Sequence, residues 1–248
     1  MDSKQTLRTF LAACPDRPSG LKAILFDMDG VLYDSMPQHV QAWVETMTGR
    51  GFRFAPEDAY LHEGRTGAGT IRLLCEREGI VLSDDEVEEL YRAKTELFQT
   101  LPPPRRISGA YEVLQQTVRS GLSPMIVTGS GQPDLLDRLR EEFPGIPFSR
   151  ERMVTGFDVT YGKPHPEPYL MALEKGRLQP RQAAVVENAP LGIASARAAG
   201  LFVLAVNTGP LPDTCLAEAG AHVIFSGMSA LGEAWEDIAA LSGEERER

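Results

Sequence analysis

Cysteine is scarce in this chain: three in 248 residues, Cys14, Cys75 and Cys215, scattered and odd in number. That excludes a disulfide framework and offers none of the paired spacings of a zinc site; the thiols read as reduced and mostly packed. Long apolar runs are also lacking. No stretch approaches the length of a membrane span. The apolar patch Phe10 to Cys14 is too short for a signal segment and abuts Pro15. Positive charge is in deficit, with 25 Lys and Arg against 35 Asp and Glu, a formal net charge of −10. Such a chain repels nucleic acid and anionic membrane surfaces, so neither is expected as a partner. An anionic ligand must then be drawn in by local cations. Internal repeats and low-complexity segments are missing, and only the charged tail Glu244 to Arg248 is expected to fray. What is present is ordinary for a soluble globular enzyme: 42% hydrophobic and 7% aromatic residues. A cytoplasmic protein is expected, a monomer or else a homodimer.

The chain is organised around Ile24-Leu25-Phe26-Asp27-Met28-Asp29-Gly30-Val31-Leu32-Tyr33-Asp34. Ala23 to Phe26 reads as a buried strand. It ends in two carboxylates and a glycine that frees the backbone to turn. Side chains alternate along an extended backbone, so Asp27 and Asp29 can point the same way off the strand's carboxyl end. Open α/β sheets place their ligands there. Two carboxylates that close need a cation or a proton between them. Asp29-Gly30 alone is equally compatible with a plain turn; the spacing D-x-D-G-x-x-x-D after an apolar strand weighs against that.

From Met36 to about Arg106 the pattern is helical only. Met36, His39, Val40, Trp43 and Met47 share one face. His62 to Gly67 forms a polar turn before a helix carrying Ile71, Leu74 and Cys75. Ser83 with Glu86 is a capping-box signature for a helix of about 84 to 100, which Pro102-Pro103-Pro104 ends. From Ile107 onward, helices alternate with apolar strands at about 123–128, 153, 183–187, 201–206 and 222–225, and a helix is expected at about 133–142. This predicts an α/β fold: a Rossmann-like, doubly wound parallel sheet with an inserted all-helical cap. The core is expected over 1–35 and 107–248, and the cap over 36–106.

Three more strand ends are polar. Thr128-Gly129-Ser130-Gly131 offers a hydroxyl and free amides in a turn before a helix, either an anion cradle or an ordinary strand–helix turn. Gly162-Lys163-Pro164-His165-Pro166-Glu167-Pro168 presents a flexible lysine on a stiff loop, a point charge for phosphate or a solvated side chain. Glu187-Asn188 follows Val185-Val186; both are hard oxygen ligands suited to Mg²⁺, and Asn188 is equally a helix cap.

In this order and spacing the residues resemble the haloacid dehalogenase superfamily, in its phosphotransferase branch, over nearly all of residues 21 to 227. The helical cap is similar to that of β-phosphoglucomutase and its phosphatase relatives. The resemblance implies Asp27 as nucleophile, forming an aspartyl-phosphate, and Asp29 as general acid and base, for which its pKa should be raised by partial burial. It implies Thr128 and Lys163 as the holders of phosphoryl oxygens, with Gly129 and Ser130 beside them on the substrate. Mg²⁺ would be held by Asp27, the Asp29 carbonyl and Glu187, Asn188 or both. The family commonly has Glu-Asp at the last motif, so Asn188 replaces a carboxylate with a neutral amide.

The resemblance also implies that the cap selects the substrate, a small phosphorylated metabolite. Lys94 lies on the apolar face of its helix, either snorkelling outward or pointing into the cleft. His39 and Trp43 match a His and a Trp in the mutases, though His39 is equally an interface residue and Trp43 more readily a core one. Arg65 lies in the turn expected to touch substrate, but the mutases' phosphate-binding arginine falls at Gly67 here. The expectation is a Mg²⁺-dependent phosphatase. A sugar phosphomutase is the alternative, and a non-catalytic regulatory module that binds phosphorylated metabolites is the second. Phosphonate cleavage through a Schiff-base lysine would call on Lys94.

Overall fold

The structure, a computed structural model, describes residues 3–130 and 135–243. Gly131, the start of the helix expected at about 133 and the tail Glu244 to Arg248 lie outside the described residues. The chain opens with α1 (Ser3–Ala13) and β1 (Ala23–Phe26). A two-residue strand, β2 (Tyr33–Asp34), leads into α2 (Met36–Gly49), α3 (Pro56–Leu61), α4 (Gly67–Glu78) and α5 (Asp84–Thr100). The chain returns through β3 (Arg105–Arg106). There follow α6 (Ala110–Arg119), β4 (Ser123–Val127), α7 (Leu135–Glu142), β5 (Met153–Val154), α8 (Glu167–Gly176), β6 (Ala183–Glu187) and α9 (Pro190–Ala198). Then come β7 (Phe202–Val206), α10 (Asp213–Glu218), β8 (Val223–Phe225), α11 (Met228–Glu233) and α12 (Trp235–Ala239).

Six strands form one parallel sheet in the order β5-β4-β1-β6-β7-β8. The strand that carries the aspartates is central. Later strands add first to one side of it and then to the other, so the winding reverses at β1, where such sheets open a ligand crevice. Both faces of the sheet are buried. Ile24 and Phe26 join one apolar cluster and Ala23 and Leu25 the other. A continuously apolar strand is what burial on both faces requires. This is the doubly wound architecture expected.

The four inserted helices have an apolar core of their own, built from residues such as Met47, Phe54, Ile71, Leu74, Val87 and Leu90. At the start of α5, Ser83 Oγ accepts from the Glu86 amide at 3.3 Å, and Glu86 Oε2 accepts from the Ser83 amide at 2.8 Å. The expected capping box is therefore closed in both directions.

Several short features have no counterpart in the sequence pattern. Helix α3 is too short to show periodicity; Pro56 starts it and Asp58 Oδ2 accepts from the Ala55 amide at 2.9 Å. The insertion is also joined to the sheet by an antiparallel pair, Tyr33 with Arg106 and Asp34 with Arg105, in addition to the proline run. Strands of two residues carry no readable alternation. Helices α10, α11 and α12 likewise escaped the pattern, being five or six residues each. The cysteines are free, with Cys14 and Cys75 buried. Among the described residues no helix is long and apolar enough to cross a membrane.

Because the Ser83 cap satisfies otherwise unpaired amides, Ser83→Ala is expected to cost about 1 kcal/mol. Urea unfolding followed by circular dichroism checks this.

Candidate active site

The site begins where β1 runs out. The Asp27 amide donates to the Val186 carbonyl at 3.0 Å, so the ladder carries Asp27 to the strand ends before the chain turns away. Gly30 makes that turn at φ +76°. A Cβ there would overlap the Asn188 amide and come within 3.0 Å of Glu63 Oε1, so backbone and side chains meet closely at this point.

Lys163 is not a flexible surface cation. It is 1% exposed, and its Nζ donates to Asp27 Oδ1 at 2.5 Å, Glu187 Oε1 at 2.6 Å and the Val127 carbonyl at 3.1 Å. The Lys163–Pro164 peptide is cis. Glu187 is fully occupied. Oε1 also accepts from the Tyr169 hydroxyl at 2.9 Å, and Oε2 accepts from the Asn188 and Ala189 amides at 3.0 and 3.2 Å. It is engaged in fixing Lys163, and both its oxygens are committed, which leaves it poorly suited to the direct metal-ligand role expected from its strand-end position. Burial pushes the Asp27 carboxyl far above the ordinary carboxylate range, to about 8, against the pull of Lys163. Burial works against the Lys163 charge as well, but Asp27 and Glu187 outweigh it and raise the lysine above its usual value.

Asn188 does not cap α9, whose cap position is Ala189. Its Nδ2 donates instead to Glu63 Oε1 at 2.8 Å, across from the polar turn between α3 and α4. Its Oδ1 is buried and accepts from no group among the described residues. Burial pushes the Glu63 carboxyl well up, and the charges of Asp27, Glu187 and Asp29 add to this, against the Asn188 hydrogen bond.

Asp29 sits in a second network. Its Oδ1 accepts from Ser35 Oγ at 2.5 Å and from His39 Nε2 at 3.3 Å, and His39 Nδ1 lies 2.7 Å from Lys94 Nζ. An ammonium can only donate, so Nδ1 carries the lone pair and Nε2 the proton. The Asp29 pKa is not raised. Burial pushes it up, but His39, Ser35 and Lys94 overcome that and hold it at about 2. Burial lowers Lys94 to about 8, with Asp29 opposing. Lys94 does not snorkel: it is 5% exposed, with its Nζ 5.2 Å from the Trp43 ring centre and 5.1 Å from that of Phe98.

Between the cap helices and the strand ends lies a cavity of about 380 Å³ that contains Asp27, Asp29, His39, Trp43, Arg65, Lys94, Gly129 and Ser130 in its wall. His39 and Trp43 are thus part of the cavity lining. Arg65 Nε is buried there with no acceptor among the described residues. Thr128, 2% exposed, accepts from the Ser130 amide at 3.0 Å. Gly67 backs onto Tyr91: any Cβ would overlap that ring, so no longer side chain fits there.

Three participants went unnoticed in the sequence. Ser35 and Tyr169 carry no signal beyond a hydroxyl near a helix start, and Glu63 was hidden inside a segment read only as a polar turn.

Asp27, Asp29, Glu63 and Glu187 outnumber Lys163 and Lys94, and a buried amide oxygen lacks a donor. Among the described residues no three His, Cys, Asp or Glu side chains form a metal cluster by themselves. The donors that could hold Mg²⁺ are mixed hard oxygens: the Asp27 carboxylate, the Asp29 main-chain carbonyl and the Asn188 Oδ1.

A helical cap over the reversal point of a doubly wound sheet, closed on a buried carboxylate–lysine site, defines a capped α/β enzyme. A family model for haloacid dehalogenase-like hydrolase matches residues 21–200. The chain belongs to that family and is an enzyme of it. It is 34% identical over 191 residues to hexitol phosphatase A of Escherichia coli (strain K12), covering 75% of this chain and 83% of that protein. It is 29% identical over 182 residues to the fructose-1-phosphate phosphatase YqaB of the same organism, covering 72% and 92%. A solved Bacteroides vulgatus structure, provisionally named as a β-phosphoglucomutase, superposes with a TM-score of 0.89 at 48% identity over 97% of this chain and 98% of that one.

Lys163→Met leaves the buried Asp27 and Glu187 carboxyls without their shared cation and should cost about 3 kcal/mol or more at pH 7. The cost should grow toward pH 9, because wild-type Asp27 ionises beside Lys163 as the pH passes about 8, whereas in the variant it must stay protonated. Urea titrations of both proteins at the two pH values measure it.

Proposed function

We propose that this enzyme is a Mg²⁺-dependent phosphatase of small phosphorylated carbohydrates, acting through an aspartyl-phosphate on Asp27. The observation that carries the reading is the Asp27 carboxylate at the central strand end, held 2.5 Å from Lys163 and open to the cavity beneath the cap. The phosphatase names of the relatives support the substrate class. Aromatic walls at Trp43 and Tyr91, with polar groups at Arg65 and Lys94, suit a sugar and its phosphate.

Asp27, once it has given up its proton to solvent, attacks phosphorus, and the bond to the leaving oxygen breaks as that oxygen takes a proton from Asp29. Lys163 and the Thr128 hydroxyl offset charge on the phosphoryl oxygens; a donor of this kind is worth on the order of 3 kcal/mol. Bound Mg²⁺ would supply positive charge that eases the approach of two anions. Asp29 as held here is ionised and set to be the base that activates water against the aspartyl-phosphate. To act as acid in the first step it must gain a proton, which requires the incoming phosphate charge to offset His39 and Ser35. Residues 36–106 serve as the cap, 1–35 and 107–248 as the core, and the β2–β3 pair as the hinge between them. Cap closure excludes bulk water.

A sugar phosphomutase is the second reading, favoured by the likeness to the Bacteroides vulgatus structure. The Tyr91 ring packed against Gly67 weighs against it, since no arginine fits there to hold a second phosphate.

A screen of sugar and sugar-alcohol phosphates at saturating Mg²⁺ should release phosphate, with Asp27→Asn inactive as the blank. Isomer formation from a hexose 1-phosphate plus bisphosphate, without phosphate release, would favour the mutase. Lys94 as phosphate binder gives a pH prediction. Asp27 must lose its proton to attack and Lys94 must keep its own to bind phosphate, and both turn over near 8, so kcat/KM, which reports the free enzyme, should peak near pH 8 and descend above it as Lys94 is discharged. Lys94→Met should have a low kcat/KM without that descent.

A further inference from the structure

We propose that Glu63, carried on the cap, supplies the carboxylate that the core lacks at position 188, so that a divalent cation is held by cap and core together and most tightly when the cap is closed. This rests on the reading of a Mg²⁺ site above.

The geometry that points to it is the Glu63–Asn188 pair. Asn188 Nδ2 donates to Glu63 Oε1 at 2.8 Å in buried surroundings, which orients the amide. Its other atom, Oδ1, then has no donor among the described residues, although the residue is only 8% exposed. A buried acceptor without a donor is costly unless something fills it. A cation would fill it. Glu63 is itself 9% exposed, lies against Gly30 beside Asp29 and faces Asn188 across the cap–core boundary.

Charge accounts for the pairing of residue types. An aspartate at 188 would set two carboxylates face to face at hydrogen-bond distance. The Glu63 and Asn188 side chains together carry the single negative charge that an aspartate alone would bring, divided between two parts of the chain. The loop bearing Glu63 packs tightly on the core in this state: a Cβ at Gly64 (φ +86°) would come within 2.9 Å of the Lys163 side chain, and one at Gly129 within 3.0 Å of the Gly64 carbonyl. If the cap opens, Glu63 leaves with it and the cation site loses its charge. Cation binding and closure are then reciprocally coupled.

The test is Mn²⁺ binding to the full chain, read by electron paramagnetic resonance of the free ion, with small-angle scattering to follow compaction. Glu63→Gln keeps an acceptor for Asn188 Nδ2 and removes only the charge, so a mere latch would survive it. It should weaken Mn²⁺ by about tenfold or more, the scale on which groups around a metal act, and abolish Mn²⁺-induced compaction. Asn188→Asp in the Glu63→Gln background should restore binding to within a few-fold of wild type, whereas Asn188→Asp alone should reduce metal-free compaction. Equal Mn²⁺ affinity in wild type and Glu63→Gln, or no restoration in the double variant, overturns the proposal. If wild type itself binds no Mn²⁺, the Mg²⁺ reading fails as well, a result distinct from equal binding.

Discussion

The Lys163 ammonium is the interaction on which the rest of the site depends. Three parts of the sheet converge on it: Asp27 beyond β1, the Val127 carbonyl at the end of β4 and Glu187 at the end of β6. Burying a charge is tolerable only if its partners are close and their remaining valences are filled. On Glu187 they are filled, by Tyr169 and two backbone amides, while Asp27 turns toward the cavity. The consequence is a rigid frame at the strand ends in which one carboxylate, Asp27, is aimed at the cavity and the other is fully occupied in positioning.

The cap completes what the sheet leaves unfinished. The chain Lys94–His39–Asp29 runs from the cap's own aromatic wall to the second aspartate and holds it ionised. Burial alone would have done the opposite. Two carboxylates two residues apart therefore have opposite tendencies: Asp27 is shielded from water with one cation shared between two acids, whereas Asp29 collects a hydroxyl, an imidazole and a more distant ammonium. Pairs of titratable groups driven apart by their surroundings are a means of dividing chemical labour. Half of this environment, His39 and Lys94, belongs to the inserted helices.

Much of this was legible in the chain. The apolar runs at 23–26, 183–187 and 202–206 gave buried parallel strands because burial on both faces leaves no room for polar alternation. The Ser83–Glu86 spacing gave a helix start because its hydrogen bonds are local. Less legible were α3, the β2–β3 pair and the short helices after β7, all shorter than the period that would reveal them. At the site, residue types and order pointed to Asp27, Asp29, Thr128, Lys163, Glu187 and Asn188, but not to what they touch: Lys163 is buried rather than flexible, both Glu187 oxygens have hydrogen-bond partners, and Asp29 is lowered rather than raised in pKa.

The sequence by itself determined the architecture and the residues that stand at the strand ends, since period, capping and the positions of polar groups after apolar runs are properties of neighbouring residues. Only the tertiary structure decided what each of those groups touches. Asp27 and Lys163 are 136 residues apart, as Glu63 and Asn188 are 125. Whether a carboxylate is paired, orphaned or held ionised depends on such distant partners and on burial, neither of which a local pattern encodes.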